Sequence, residues 1–206
     1  CADPDLGGSI DDYVGCDVAR GFGYCYNGEA IDQNCPSPEL PYGAVPPAVG
    51  VDFFQGPKAF GPGAGVDSYG HSFVDSHGNI PMTRFMYYNN DFSTIGNPQN
   101  ASDYYNYLKG IWRDGTAMTY GGNGHNTSST VCDFMFPGLD PSGTTDPNNT
   151  GTGGNAEPTW TETTSGNPYG DRRFIQSAGP FQLQPGAVNY VTDGAVWARA
   201  VSGNNL

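Results

Sequence analysis

The hydrophobic pattern of the chain consists mainly of short apolar runs that end at glycine, proline or asparagine. Runs at 22–26, 49–54 and 131–136 are rich in aromatic and β-branched side chains, which favour strands. Residues 82–89 place methionine and aromatic side chains at successive positions, so both faces of this predicted strand need to be covered. The pattern therefore predicts a mainly β protein.

The C-terminal part of the chain has the most regular pattern. It predicts strands at 172–177 and 180–183, a turn at Pro185-Gly186, and a longer strand or pair of strands over 187–200. Short strands separated by Pro/Gly turns are typical of two-layered antiparallel folds. We therefore expect an antiparallel, sandwich-like core.

One segment, residues 101–113, has the spacing of an amphipathic helix. Its predicted apolar face consists of Tyr104, Leu108, Ile111 and Trp112. Asn100 or Ser102 can cap the start of the helix, and Gly115 can end it.

The remaining residues are turn-rich, since the chain contains 31 glycines and 17 prolines. We expect a Cys/Asp-rich aromatic β module over 1–136 that includes the helix. Residues 137–170 are mostly Gly, Pro, Asn, Ser and Thr, which predicts a flexible polar loop or linker. The strands of 171–206 are expected to pack on the same core.

Charge changes this picture by excluding some partners. The net charge is −13, and only 8 residues are Lys or Arg. Binding of nucleic acid depends on basic side chains that neutralise phosphates, so nucleic acid is excluded as a partner. No apolar run reaches the roughly 18 residues of a membrane span, and membrane insertion is not expected.

The acidic residues concentrate near the N-terminus, in the stretch DPDLGGSIDDYVGCD. Its aspartates are Asp3, Asp5, Asp11, Asp12 and Asp17. A turn at Gly7-Gly8 can fold these side chains towards each other, and carboxylates on loops are common calcium ligands. The spacing is not that of an EF-hand. The two interpretations are a calcium site and a solvated acidic loop whose aspartates cap turns.

Five cysteines are present, and the odd number leaves at least one without a partner inside the chain. The candidates for disulfide bonds are Cys16, Cys25, Cys35 and Cys132. Because no CxxC or zinc-type spacing occurs, disulfides in an oxidising extracellular compartment are the preferred interpretation. We expect one bridge within Cys16, Cys25 and Cys35, with Cys132 either free or bonded to one of them.

Catalytic motifs are not evident. His71, Asp75 and His77 lie in one Gly-rich stretch and form the candidate polar cleft, although histidines in such loops are more often exposed and without a function. The HExxH pattern is absent, and the sequence GHSFV has Val74 where a nucleophile elbow needs glycine. No residue is therefore assigned a catalytic role.

Several longer segments resemble parts of large secreted and cell-surface proteins of Bacteroidota, which are exported by the type IX secretion system. The matching segments are DPDLGGSIDDYVGCD, GYCYNG, YGAVPPAVGVDFFQGP, MTRFMYYNND, YYNYLKGIWRDGTAMTYGG, CDFMFPG and DRRFIQSAGPFQLQPGAVNYVTDGAVWARA. The resemblance implies export and an extracellular or cell-surface location, and it supplies no catalytic motif.

These observations predict a non-enzymatic extracellular module with a structural or adhesive role, such as a filament subunit or part of a longer adhesin. Its expected partners are other copies of itself, other surface proteins or glycans. The alternative is a secreted hydrolase or carbohydrate-binding module. A polymer-forming module should have complementary edges, whereas an enzyme should have a cleft with converging polar groups.

Overall fold

The computed structural model describes residues 1–33, 35–138, 143–156 and 159–201. Strands predominate in this part of the chain. In chain order the elements are β1 (Asp12–Asp17), β2 (Phe22–Asn27), β3 (Ile31–Asp32), β4 (Gly43–Ala44), β5 (Ala48–Gln55), β6 (Arg84–Asn89), helix α1 (Ala101–Leu108), a single 3-10 turn (Thr150–Thr152), β7 (Arg172–Ser177) and β8 (Thr192–Ala198). The prediction of a mainly β fold with antiparallel sheets and one helix is confirmed.

The larger sheet has the strand order β1-β2-β5-β8, and all of its neighbouring strands are antiparallel. Strands β6 and β7 form a second antiparallel layer, while β3 and β4 form a short ribbon. Strand β7 contacts β1 and β2. The Gln176 amide of β7 also donates to the Val51 carbonyl of β5 at 3.1 Å. The second layer therefore covers β1 and β2 and reaches β5.

Aromatic side chains fill the space between the layers. The rings of Phe85 and Phe174 lie 5.2 Å apart, and those of Tyr87 and Phe136 lie 5.3 Å apart. Such tilted ring pairs stabilise the fold by about 0.5–1.5 kcal/mol each, in addition to the burial of their apolar area. The β6 positions 85–88 are all buried, as the pattern of residues 82–89 predicts for a strand covered on both faces.

The helix is shorter than the sequence predicts. It begins after the Asn100 cap, whose side chain accepts from the Asp103 N–H, and it ends at Leu108. Gly110 adopts a φ of +71° and donates to the Tyr107 carbonyl, which ends the helix well before Gly115. Tyr107 is the buried residue of the helix.

The predicted apolar face of the helix is therefore wrong. Tyr104 and Leu108 are 47% and 43% exposed. Ile111 and Trp112 follow the helix, and Trp112 is fully buried there by a turn of the chain.

The prediction of a flexible linker over 137–170 does not fit the described residues of that stretch. Trp160 packs against Phe136 with ring centroids 5.3 Å apart, and Thr152 and Glu162 are fully buried. Polar composition misleads here because these side chains satisfy buried backbone groups.

Two predicted strands are absent, and three strands were not predicted, namely β1 and the two-residue strands β3 and β4. Residues 131–136 form isolated bridges, such as the parallel bridge between Phe85 and Phe134, and residues 180–183 are irregular. Strand β1 lies within the acidic stretch and is buried along its whole length. The described residues contain no helix long and apolar enough to cross a membrane.

Candidate functional site

The two edges of the larger sheet differ in what their backbone groups contact. On the β1 edge, three N–H groups that do not pair with β2 find acceptors elsewhere in the chain. Asp12 donates to the Gly170 carbonyl (3.2 Å), Val14 to Glu162 Oε1 (2.9 Å) and Cys16 to the Phe136 carbonyl (3.2 Å). We call this the closed edge.

A buried ion pair supports the closed edge. Arg172 Nε donates to Glu162 Oε2 at 3.0 Å, and Arg172 Nη1 donates to the Asn89 side chain at 2.9 Å. Burial raises the pKa of Glu162, and the Arg172 guanidinium opposes that rise. The carboxylate therefore connects three segments of the chain: β1, the 159–170 loop and β7.

The β8 edge has no such cover. Six of the seven residues of Thr192–Ala198 are exposed, and the remaining one, Gly194, is half-buried. Among the described residues, no side chain or loop forms a hydrogen bond to the backbone of β8 on the side away from β5. We call this the open edge.

The face of β8 that points towards the core is also uncovered. The register places Trp197 opposite Val49 and Ala195 opposite Val51, so these side chains share the face that packs on the core in β5. The second layer reaches β5, and Trp197 stays 60% exposed. Other exposed apolar side chains in this part of the chain are Val188, Tyr190, Val191, Val196 and Val201.

The five predicted calcium ligands separate into three groups. Asp17 pairs with Arg20 in the β1–β2 turn. Asp3 and Asp5 lie with Asp171 in an exposed cluster whose ligand oxygens are all within 4.8 Å of one another. Asp3 is already paired with Arg173 at 2.6 Å in that cluster.

The third group, Asp11 and Asp12, is buried at the start of β1. Asp11 is 2% exposed and Asp12 is 1% exposed. Neither carboxylate oxygen of Asp11 accepts a hydrogen bond, nor does Asp12 Oδ1. Buried carboxylates without hydrogen bonds are costly, so this pocket calls for a physical explanation.

Burial and neighbouring acids shift the pKa values of both residues. Burial, together with the Asp32 carboxylate, raises the pKa of Asp11 to about 6. The Asn27 amide opposes the rise, although it also donates to the Glu29 carbonyl at 2.8 Å. Burial raises the pKa of Asp12 to about 8.

No disulfide joins any of the five cysteines, all of which lie in the described part of the chain. Cys16 and Cys25 share a face of paired strands but sit diagonally, since Cys25 is opposite Val14. Diagonal neighbours are about 7–8 Å apart, beyond the usual Cα separation of a disulfide. Cys25 Sγ contacts the Pro4 carbonyl at 3.5 Å, and Cys35 Sγ donates to Asp32 Oδ1 at 3.2 Å.

The candidate cleft residues occupy separate turns. Asp67 Oδ2 contacts Nδ1 of the exposed His71 at 3.0 Å, whereas Asp75 accepts the backbone N–H groups of His77 and Asn79. Hydrogen bonds from these backbone groups lower the pKa of Asp75. The three side chains are exposed and stabilise local turns.

A groove with a volume of about 840 Å³ lies between α1, the end of β7 and the 178–191 segment. Its aromatic lining residues are Phe53, Tyr105 and Phe181, and its charged ones are Asp67, Arg84 and Lys109. His71, Asp75 and His77 do not line it. Arg84 also contacts the buried Asp133 at 3.1 Å, which holds the guanidinium at one end of the groove.

Sequence reasoning missed Glu162, Arg172, Asn27 and Asp32. Glu162 lies among threonines in TWTETT, a composition typical of an exposed loop. Its role depends on β1, which is 148 residues away, so no local pattern could identify it.

Comparisons with protein families, with curated proteins and with solved structures found no match to this chain. The resemblance to secreted Bacteroidota proteins therefore stays a prediction.

Proposed function

We propose that this protein is a non-enzymatic extracellular module with a structural or adhesive role, and that it joins a second copy of itself through the open edge. The observation that carries the proposal is strand β8, which is exposed along nearly its whole length in a sheet whose opposite edge is closed.

Edge strands with free backbone groups are templates for pairing with another chain. Proteins that stay monomeric commonly protect such edges with lysine, proline or a covering loop. The residues of β8, TDGAVWA, include neither lysine nor proline. Pairing with a further strand would satisfy the outward N–H and C=O groups and add side-chain contacts on alternate positions.

The charges of the strand favour a second copy as the occupant. In an antiparallel pairing of two β8 strands centred on Val196, Asp193 lies opposite the partner's Arg199. This arginine directly follows β8, and within its own chain its guanidinium donates to the Val45, Tyr42 and Ala44 carbonyls. Opposite charges at facing positions stabilise a strand pair, whereas like charges destabilise it. The same pairing brings the exposed Trp197 next to the partner's Ala195, which buries apolar area that is now exposed.

Surface location is supported by composition. The chain has few basic residues and a net charge of −13. The segments that resemble type IX-secreted proteins are spread along the chain from residue 3 to residue 200. Pairing of two identical edges forms a closed two-fold dimer, so this contact would join two copies within a longer adhesin or between surface proteins, and a filament would need a further contact.

Sedimentation velocity over a wide protein concentration range tests the proposal. We expect the wild type to associate with rising concentration and Trp197→Lys to stay monomeric. Phe92→Lys is the matched control, because Phe92 is an aromatic residue that is 82% exposed in the turn after β6 and does not line the groove beside the 178–191 segment. A wild type that stays monomeric at every concentration, or an equal effect of both variants, would contradict self-association.

The groove favours a second candidate, a carbohydrate-binding role. Sugar rings stack on aromatic side chains, and their hydroxyl groups hydrogen-bond to charged side chains. In the groove, Tyr105 provides the aromatic ring and Arg84 the charged group. Lys109 Nζ lies 4.6 Å from the centre of the Tyr105 ring, so a stacked sugar would displace it. Glycan-array binding that is lost in Tyr105→Ala and kept in Trp197→Lys would support this role.

A further inference from the structure

The turn at Gly7-Gly8 passes close to two buried carboxylates. A Cβ atom on Gly8 would lie 2.9 Å from Asp11 Oδ1, and one on Gly7 would lie 1.9 Å from Asp32 Oδ2. Glycine is therefore required at both positions for the carboxylates to approach the backbone this closely. Both acidic side chains lie against the same short segment.

Neither carboxylate has a basic partner. Asp11 and Asp32 form no ion pair with any described Lys, Arg or His side chain. Asp32 is fully buried and Asp11 is 2% exposed. Two like charges in a poorly solvated pocket oppose folding unless a cation or protons neutralise them.

The oxygens in this pocket have unused acceptor capacity. Both oxygens of Asp11 and Oδ1 of Asn27 are buried and accept no hydrogen bond. The Asn27 amide nitrogen donates instead to the Glu29 carbonyl, which leaves the amide oxygen available. Buried acceptors without donors are rare in folded proteins, and a bound ion is one of the few ways to satisfy them.

The donor set favours a hard cation. Carboxylate and amide oxygens are the ligands that Ca²⁺ prefers, and Ca²⁺ tolerates irregular geometry completed by water. The nearby Cys35 thiol donates to Asp32 Oδ1 at 3.2 Å, so its proton is engaged with a carboxylate. A thiol in that state does not serve as a ligand for zinc, which binds the thiolate.

We propose that Ca²⁺ binds in the buried pocket formed by Asp11, Asp32 and Asn27 beside the Gly7-Gly8 turn. The exposed cluster of Asp3, Asp5 and Asp171 is not this site, because Arg173 already neutralises part of its charge. Bound calcium connects the N-terminal turn, the first two strands of the larger sheet and β3.

Direct binding is measured with Tb³⁺, a calcium substitute whose emission is sensitised by nearby tyrosine. The Tyr42 ring is close to the pocket, since a Cβ on Gly7 would lie 3.0 Å from Tyr42 Cδ2. We expect sensitised emission that Ca²⁺ competes away in the wild type. Emission should be lost in Asp11→Asn and kept in the matched control Asp3→Asn.

Thermal unfolding gives an independent readout. Added Ca²⁺ should raise the midpoint of the wild type and of Asp3→Asn relative to chelator, because the ion binds the folded state. Asp11→Asn should fold, since it removes a buried charge and keeps the shape of the side chain, and in chelator it should melt at or above the wild-type temperature. Its midpoint should not respond to Ca²⁺.

Three results would overturn the site. The first is a wild-type midpoint and Tb³⁺ emission that do not respond to Ca²⁺. The second is a response that persists in Asp11→Asn and disappears in Asp3→Asn, which would assign the ion to the exposed cluster. The third is a response to Zn²⁺ alone that requires Cys35, as shown by its loss in Cys35→Ser.

Discussion

The closed edge and the open edge belong to the same four-stranded sheet and have opposite environments. On β1, polar groups from distant parts of the chain satisfy the outward N–H groups and bury the strand. On β8, the strand ends the sheet with its backbone and Trp197 exposed. The fold therefore protects one edge of the sheet and leaves the other exposed.

The closed edge also carries several buried charged side chains. Glu162, Arg172, Asp11 and Asp12 are all buried there. Substitutions of these buried residues should therefore change the unfolding free energy. Substitutions in β8 should leave the unfolding free energy nearly unchanged and weaken self-association instead.

The largest expected effect comes from opening the closed edge. Glu162→Ala leaves the Arg172 guanidinium buried without its carboxylate and removes the acceptor of the Val14 N–H. Removing one partner of a buried ion pair lowers the unfolding free energy by about 3–5 kcal/mol. Urea denaturation followed by circular dichroism measures this loss.

The double variant Glu162→Leu with Arg172→Met is the control for that experiment. It removes both charges together and should recover part of the lost stability, since the uncompensated charge is gone. A loss below 1 kcal/mol in Glu162→Ala would mean that the ion pair does not support this edge.

The second prediction concerns pH. Asp12 has a folded-state pKa of about 8 against an ordinary value of 3.8, because burial disfavours its charged form. The charged groups facing it, Asp11 and Asp5, raise the pKa further, while the Leu6 N–H and the Cys25 thiol lower it. The protonated carboxyl therefore favours the folded state below about pH 4, and this contribution is lost as the pH rises to about 8.

In chelator, the unfolding free energy should fall by a few kcal/mol between pH 4 and pH 8. Urea titrations at a series of pH values measure the slope. Asp12→Asn removes the titrating group and should flatten the curve. A wild-type stability that rises with pH over this window would contradict the prediction.

The third prediction concerns the open edge. Trp197→Ala should change the unfolding free energy of the monomer by only about 0.5 kcal/mol, because the ring is 60% exposed. The same variant should weaken self-association. A loss of several kcal/mol in dilute solution would show that β8 is integral to the folded monomer.

The smallest expected effect is at the exposed ion pair in the β1–β2 turn. Arg20 pairs with Asp17, and 78% of the Arg20 side chain surface is exposed. Exposed pairs contribute about 0–1 kcal/mol, so Arg20→Ala should shift the thermal midpoint by a few degrees at most. A larger shift would mean that this ion pair stabilises the fold as much as the buried charges of the closed edge do.

Local sequence patterns predicted the strands whose own residues favour a strand. Strand β7 coincides with the predicted 172–177, and β5 differs by one residue at each end from 49–54. Both have apolar and β-branched side chains bounded by turns. Strand β1 was missed because Asp12, Gly15 and Asp17 disfavour a strand locally, and its burial is imposed by residues far along the chain.

The candidate site was predicted only in part, for the same reason. The acidic stretch drew attention to Asp11 and Asp12, but Asp32 and Asn27 belong to other segments and had no distinguishing context. The disulfide and calcium hypotheses from composition stay predictions. The helix end was missed because Gly110 and Gly115 are both plausible stops, and only the packing of Tyr107 decides between them.

The hydrogen bond from Val14 to Glu162 has a consequence for the order of synthesis. The first sheet strand leaves the ribosome almost 150 residues before the side chain that accepts from it. Until then the nascent chain presents two unprotected edges, a state prone to aggregation. A truncated chain ending before residue 159 should therefore precipitate or require a chaperone.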